Sequence, residues 1–199
     1  HAVDTVSVDV FAGGAELLGD FEYKDTTDYL TVAAGDLAVA IAPANGGIDA
    51  ALGTLSGTLT LERGESYTVI AAGSVNELAE TQLIVLVDSR ESSGGADVRL
   101  VHAAAASAAD PVDIFVVAAG ADISAATPTF ANVVIGQDTG YTALDGTFAY
   151  DVVIAAQGTT SAAVPGTANL TLGDDTVTTA IAIGNSVQNL EAIILSDKR

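Results

Sequence analysis

The chain is 199 residues long, carries 6 Lys and Arg against 26 Asp and Glu for a formal net charge of −20, and contains no Cys, Met or Trp. That charge repels nucleic acid and anionic membrane surfaces, and the lack of Cys removes disulfides, thiolate zinc sites and thiol catalysis together. No segment reaches the ~20 consecutive apolar residues of a membrane helix, so neither nucleic acid nor membrane insertion is expected.

The acidic residues are scattered rather than blocked, which points to a folded domain with an acidic shell instead of an acidic tail. Such a shell suits a halophilic or marine protein. The start, His-Ala-Val-Asp, lacks the basic region and apolar core of a signal peptide, so any secretion signal is expected to have been removed already.

Along the chain, VSVDVF at 6–11 alternates apolar and polar residues, as a half-buried strand does. YLTVAAGDLAVAIAPANG at 29–46 holds a glycine turn followed by a second strand, and TLTLERGESYTVIAAG at 58–73 reads as strand, Arg-Gly-Glu turn, strand. LIVLVDSR closes this run at 83–90, and ESSGGA at 91–96 is a polar, glycine-rich link of the kind that separates domains.

The same signals then return in the same order. VRLV at 98–101 is followed by His102-Ala103, matching His1-Ala2, and VDIF at 112–115 matches VDVF at 8–11. YTALDGTFAYDVVIAAQG at 141–158 matches the segment from Tyr29, ANLTLGDDTVTTAIAIG at 168–184 matches the one ending at Gly73, and AIILSDKR at 192–199 matches LIVLVDSR. The largest insertion lies in 116–130. The Ala-rich stretch 103–110 sits between two strand signals and leaves through Asp-Pro, so a connecting loop is expected there rather than a helix.

Two copies of one domain follow, 1–90 and 97–199. Some seven short strands per copy, with turn signals at regular intervals, predict an all-β protein of two tandem antiparallel β-sandwiches.

The residues of VRLVHAAAASAADPVDIFV resemble the opening of a family of secreted bacterial and archaeal repeats, the domain of unknown function 4397. Val98, Arg99, His102, Ala103, Pro111, Val112, Asp113 and Ile114 fit its pattern, as do Gly140, Tyr141, Gly146 and Gly184. In the first copy His1, Ala2, Val8, Asp9, Val10, Tyr29, Gly35 and YTVIAAG at 67–73 fit. The usual Ser-Pro after His-Ala is missing from both copies, and the first has no counterpart of the V-R-V strand. The resemblance implies an immunoglobulin-like sandwich on a cell surface or outside the cell, with no known catalytic activity.

Several residues are candidates for chemistry. His1 and His102 occupy equivalent positions, and hydrogen bonding to a neighbouring loop is the expected role. Asp9 and Asp113, flanked by apolar residues in strands, should face away from them as exposed or loop-capping carboxylates, with pairing of Asp113 to Arg99 across a sheet as the alternative. Asp174-Asp175 and the group Glu22, Asp25, Asp28 are the candidate Ca²⁺ ligands; no Asp-x-Asp-x-Asp-Gly loop is present, so simple turn chemistry and no cofactor are expected. Asn169-Leu170-Thr171 fits a glycosylation acceptor but falls in a strand signal. No nucleophile elbow, phosphate loop or dinucleotide fingerprint occurs, and an enzyme is not expected.

The functional expectation is a secreted or cell-surface structural protein, a subunit of a filament or pilus-like assembly that forms a homo-oligomer or homopolymer by strand complementation. Its motivation is the first copy, which starts at His1 without a counterpart of 97–101 and so offers an open sheet edge. The assembly residues are then His1 and Ala2 beside that edge, Val98 and Leu100 as the model of the missing strand, and Leu190, Ile193, Ile194 and Leu195 as a closing strand that is either donated or kept in its own domain. The alternative is an adhesion or binding module that contacts other surface proteins or glycans without polymerising.

Overall fold

The computed structural model describes all residues except 5–6, 75–76, 106–109, 161–167, 186–189 and 199. It is all-β and divides into two compact units, His1–Asp88 and Ser89–Arg199. The division falls just ahead of the glycine-rich link, whose last residue already begins the first strand of unit two.

Unit one contains β1 (Ala2–Asp4), β2 (Val8–Ala12), β3 (Ala15–Phe21), β4 (Gly35–Pro43), β5 (Ser56–Leu61), β6 (Tyr67–Ser74) and β7 (Glu77–Val87). They form two sheets, β1-β6-β7 and β3-β2-β4-β5. The alternation along β2 and β4 turns Val8 and Ile41 inward, where they meet Val3 of β1 and Ala71 of β6 in a single core that joins the two sheets. Leu55, fully buried, comes from a short 3-10 turn, Gly53–Leu55, that the strand pattern did not announce.

Unit two contains β8 (Ala96–His102), β9 (Val112–Ala118), β10 (Phe130–Val133), β11 (Thr142–Leu144), β12 (Ala149–Ala156), β13 (Ala168–Thr171), β14 (Thr176–Ile183) and β15 (Glu191–Ser196). Its sheets are β11-β8-β14-β15 and β10-β9-β12-β13. Ala96, Val98 and Leu100 of β8 pack on Val112, Ile114 and Val152 of the opposite sheet. Phe115, on the other face of β9, is covered by Ile123 from the 116–130 insertion, which gives that face its own small core.

The turns match as well as the strands do. Gly64 (φ 88°) lies in the connection from β5 to β6 and Asp175 (φ 62°) in the one from β13 to β14, each in the left-handed region that a tight reversal requires. Ala103 and Ala105 donate to the carbonyls of Ala182 and Gly184, so the described start of the Ala-rich stretch prolongs the strand ladder and is not helical.

Candidate functional site

The units differ at one place in the sheet that carries β6 or β14. In unit two, β14 is paired on both sides: antiparallel to β15, and parallel to β8 from Thr176↔Ala96 to Ala182↔His102. On its far side β8 pairs with β11, Thr142↔Val98 to Leu144↔Ala96. With neighbours on both edges and a core on one face, every residue of β8 is buried.

Arg99 of β8 points away from that core and is still only 2% exposed. Its Nε and Nη2 donate to Thr179 Oγ1 at 3.1 and 2.8 Å, and Nη2 lies 4.0 Å from Asp197 Oδ2. The same carboxylate oxygen accepts the hydroxyls of Tyr141 at 2.8 Å and Thr179 at 2.5 Å, and the guanidinium carbon sits 4.6 Å from the Tyr141 ring centre. A buried charge is tolerated only when paired and hydrogen-bonded, which this set provides. Burial pushes the Tyr141 phenol well above its ordinary range.

Unit one holds the same set without the strand. Tyr29 and Thr68 donate to Asp88 Oδ2 at 2.8 and 2.7 Å, with Asp88 buried, as Tyr141 and Thr179 donate to Asp197. The parallel neighbour of β6 is β1, in register Ala2↔Ala72 to Asp4↔Ser74; no described residue pairs with β6 from Tyr67 to Ala71 on the side away from β7. The chain enters this lane in the right place. The His1 amine donates to the Asp25 carbonyl at 2.9 Å and the His1 carbonyl accepts from Lys24, as the His102 amide donates to Gln137 and the His102 carbonyl accepts from Gly136. The amine is held in the geometry of a strand amide, and burial lowers its pKa to about 6 against the opposing pull of Asp25.

The uncovered lane leaves apolar surface in water. Val69 is 41% exposed whereas Ala180, its counterpart in β14, is 6% exposed and part of the core. Residues 30–32, which match β11, form no strand, and Leu30 and Val32 are 50% and 45% exposed.

Comparison with known families gives a match to the family described as "Domain of unknown function (DUF4397)" over residues 1–115. The chain belongs to that family. The match covers all of unit one and continues through β8 to Phe115 of β9. As its description says, DUF4397 carries no assigned function, and no curated protein matches the chain.

The residues by which this DUF4397 chain resembled its family are structural in both units. Asp9 and Asp113 face opposite to Val8 and Ile114, as alternation requires, yet both are buried, each held by one amide from a neighbouring strand and one from a turn. Asp9 accepts the backbone amides of Asp20 and Asn45 at 3.0 and 2.8 Å, and Asp113 those of Asn132 and Gly158, both at 2.8 Å. The loop-capping role is present and the exposed one is not. Arg99 does not pair with Asp113, since β8 and β9 belong to different sheets; its carboxylate is Asp197. Replacing Asp113 with alanine is expected to leave two buried amides without their acceptor and to destabilise unit two by about 3 kcal/mol. That is a fall on the order of 15 °C in the midpoint of its thermal unfolding.

His102 does not bond a loop through its ring. The ring is buried, Nε2 lies 3.4 Å from Asp110 Oδ1, and burial holds its pKa below the ordinary histidine value although Asp110 pulls the other way. The contact to the loop is made by the backbone instead. His1 stacks on Phe21, ring centres 6.4 Å apart. Among the described residues no group of three His, Asp or Glu side chains gathers for a metal ion. Asp25 accepts the Glu22 amide across its own turn, and Asp175 pairs with Lys198. Asn169 lies within β13, opposite Asp151 of β12.

The remaining expected assembly residues fall as follows. Ala2 is buried beside Ala72 in β1, and Val98 and Leu100 are in the core of unit two. Leu190 is buried, while Ile193, Ile194 and Leu195 lie in β15, paired with Ile181, Ala180 and Thr179 of their own unit. Sequence reasoning matched Tyr29 with Tyr141 but assigned no role to Thr68 and Asp88; their recurrence as Thr179 and Asp197 was the signal that could have found them.

Proposed function

We propose that this protein is a non-enzymatic, secreted or cell-surface structural subunit, and that its first sandwich is completed by a strand from another subunit, building a filament or pilus-like homopolymer. The observation that supports this is the lane beside β6, open from Tyr67 to Ala71 in unit one and filled by β8 in unit two. An unpaired edge with exposed apolar residues is a template for an incoming strand, and main-chain pairing in such a lane joins subunits without a large flat interface.

The test is the protein isolated from its natural source, sized by light scattering over a range of concentration and salt. Assemblies that persist in high salt and dissociate on heating are expected. A monomer under all conditions, or intact-mass evidence that the native chain carries its own Val-Arg-Val strand directly ahead of His1, overturns the reading.

A further inference from the structure

We propose that His102 is a proton-operated latch on the 134–137 loop of unit two. With a neutral ring the loop stays clamped to the end of β8; on protonation the ring leaves for water and the loop comes free.

The ring lies at one end of the sandwich. Alternation along β8 puts His102 on the face of the core residues Val98 and Leu100, and it is 4% exposed. Neither ring nitrogen has a hydrogen-bond partner among the described residues, and Nε2 lies 3.4 Å from Asp110 Oδ1. A neutral imidazole tolerates this better than a charged one, which presents two N–H donors: Nε2 can turn to Asp110, but Nδ1 has no acceptor there. A protonated ring therefore needs water.

The loop is held by the same residue. The Gly136 amide donates to the His102 carbonyl at 2.8 Å, the His102 amide to the Gln137 carbonyl at 2.9 Å, and the Ile135 amide to Asp110 Oδ1 at 3.0 Å. The oxygen that fixes Ile135 is the one beside Nε2, so a charged ring draws on the acceptor that the loop uses. Ala103 and Ala105 are tied instead to the Ala182 and Gly184 carbonyls of the β14 side, and Thr139 is bonded twice to Leu100, by its amide and its hydroxyl. The 134–137 segment is the part that yields, with Thr139 as its fixed end. Gly136 and Gln137 also line a cleft against Phe130 and Val133, which the release dismantles.

Few charged groups surround the ring. Asp110 faces it from the connection to β9, and residues 106–109 of that connection bring no ionisable side chain. Asp138 of the loop turns to the Gly140 amide, and Asp113 of β9 is taken by Asn132 and Gly158. β14 places Ala182 opposite His102, and beyond it Glu191 of β15 is exposed. Burial holds the ring's pKa below the ordinary histidine value, with Asp110 opposing. The closed ring thus binds a proton less well than the open one. The clamp is at full strength above about pH 6.5, the value of an open ring, and weakens as pH falls from there toward the lowered value, the opening constant rising about tenfold per pH unit.

The test is amide exchange on the full 199-residue chain from about pH 7.5 to about pH 5, each rate corrected for the intrinsic pH dependence of exchange. Opening at the amides of residues 102, 135 and 136 is expected to rise about tenfold per pH unit below about pH 6.5, while the β9–β12 ladder of the same unit stays constant. His102→Gln, which cannot take up a proton, is expected to flatten the rise at all three. Asp110→Asn removes the anion that favours a charged ring inside, so the rise is expected to continue to lower pH before it levels off. The same rise in His102→Gln assigns the sensor to another group, and an equal rise throughout the β9–β12 ladder reports loss of the whole unit; either overturns the latch. Should His102→Gln fail to fold, proton NMR of the His102 ring in the unaltered chain decides. The ring must titrate in step with the three amides, and titration that leaves them unmoved overturns the latch as well.

Discussion

Replacing Arg99 with alanine is expected to destabilise unit two by about 3–5 kcal/mol. The guanidinium is 2% exposed and Asp197, 4.0 Å away, is 1% exposed, so the substitution strands a carboxylate that water cannot reach. Thr179 keeps its bond to Asp197 but loses two donors, and Tyr141 loses the cation above its ring. The cost is that of an uncompensated buried charge, more than that of a lost attraction. Arg99→Lys is expected to fall between, since it retains the charge but not the fork that lets two nitrogens meet one hydroxyl. A double-mutant cycle with Asp197→Asn on denaturant unfolding checks the cause: the two losses should be sub-additive by more than about 1 kcal/mol, and simple additivity would mean that the pair is not the source.

The strands and the sandwich were legible because alternation along VDVF, DLAVAIA and YTVIAAG has one reading when a single face is buried, and Gly64 and Asp175 mark the reversals. What alternation could not give was the fate of the other face. Asp9 and Asp113 do point away from their apolar neighbours, but left-handed residues, Asp20 of β3 and Asn45 of a turn or Asn132 of β10 and Gly158 of a turn, donate their amides to them. Facing away from the core is therefore not the same as facing water. The 116–130 insertion shows the same thing, since its Ile123 buries Phe115 on the face that a two-sheet reading leaves open.

The partner of Arg99 was out of reach for a different reason. Sequence order places Asp113 near Arg99 and Asp197 near the end of the chain, whereas sheet order places β8 beside β14, with β15 next. Parallel pairing across that distance leaves no local signal. The equivalence of β6 with β14 needs no topology, because it rests on comparing one half of the chain with the other. The polar set beside these strands was legible in principle by the same comparison, as Tyr29, Thr68 and Asp88 recur as Tyr141, Thr179 and Asp197 at differing spacings. A search for apolar motifs passes over them.

Removing 191–199 is expected to unfold unit two rather than to free an assembly-deficient but folded chain. β15 pairs with β14 at six positions, from Thr178↔Ser196 to Ile183↔Glu191, and immediately after it comes Asp197, the carboxylate that answers Arg99. The truncation therefore takes away a sheet edge and strands a buried arginine at once. Loss of the cation's partner alone costs about 3–5 kcal/mol, against about 5–15 kcal/mol for the whole stability of a domain, and the missing strand adds to that. Circular dichroism and amide exchange on the truncated chain should show unit two without protected amides while those of β2 and β4 in unit one persist. A truncated chain with both units protected would mean that β15 is dispensable at home and free to be donated. The expected outcome instead leaves β15 committed to closing unit two, paired with β14 along its length and followed by the carboxylate that answers Arg99.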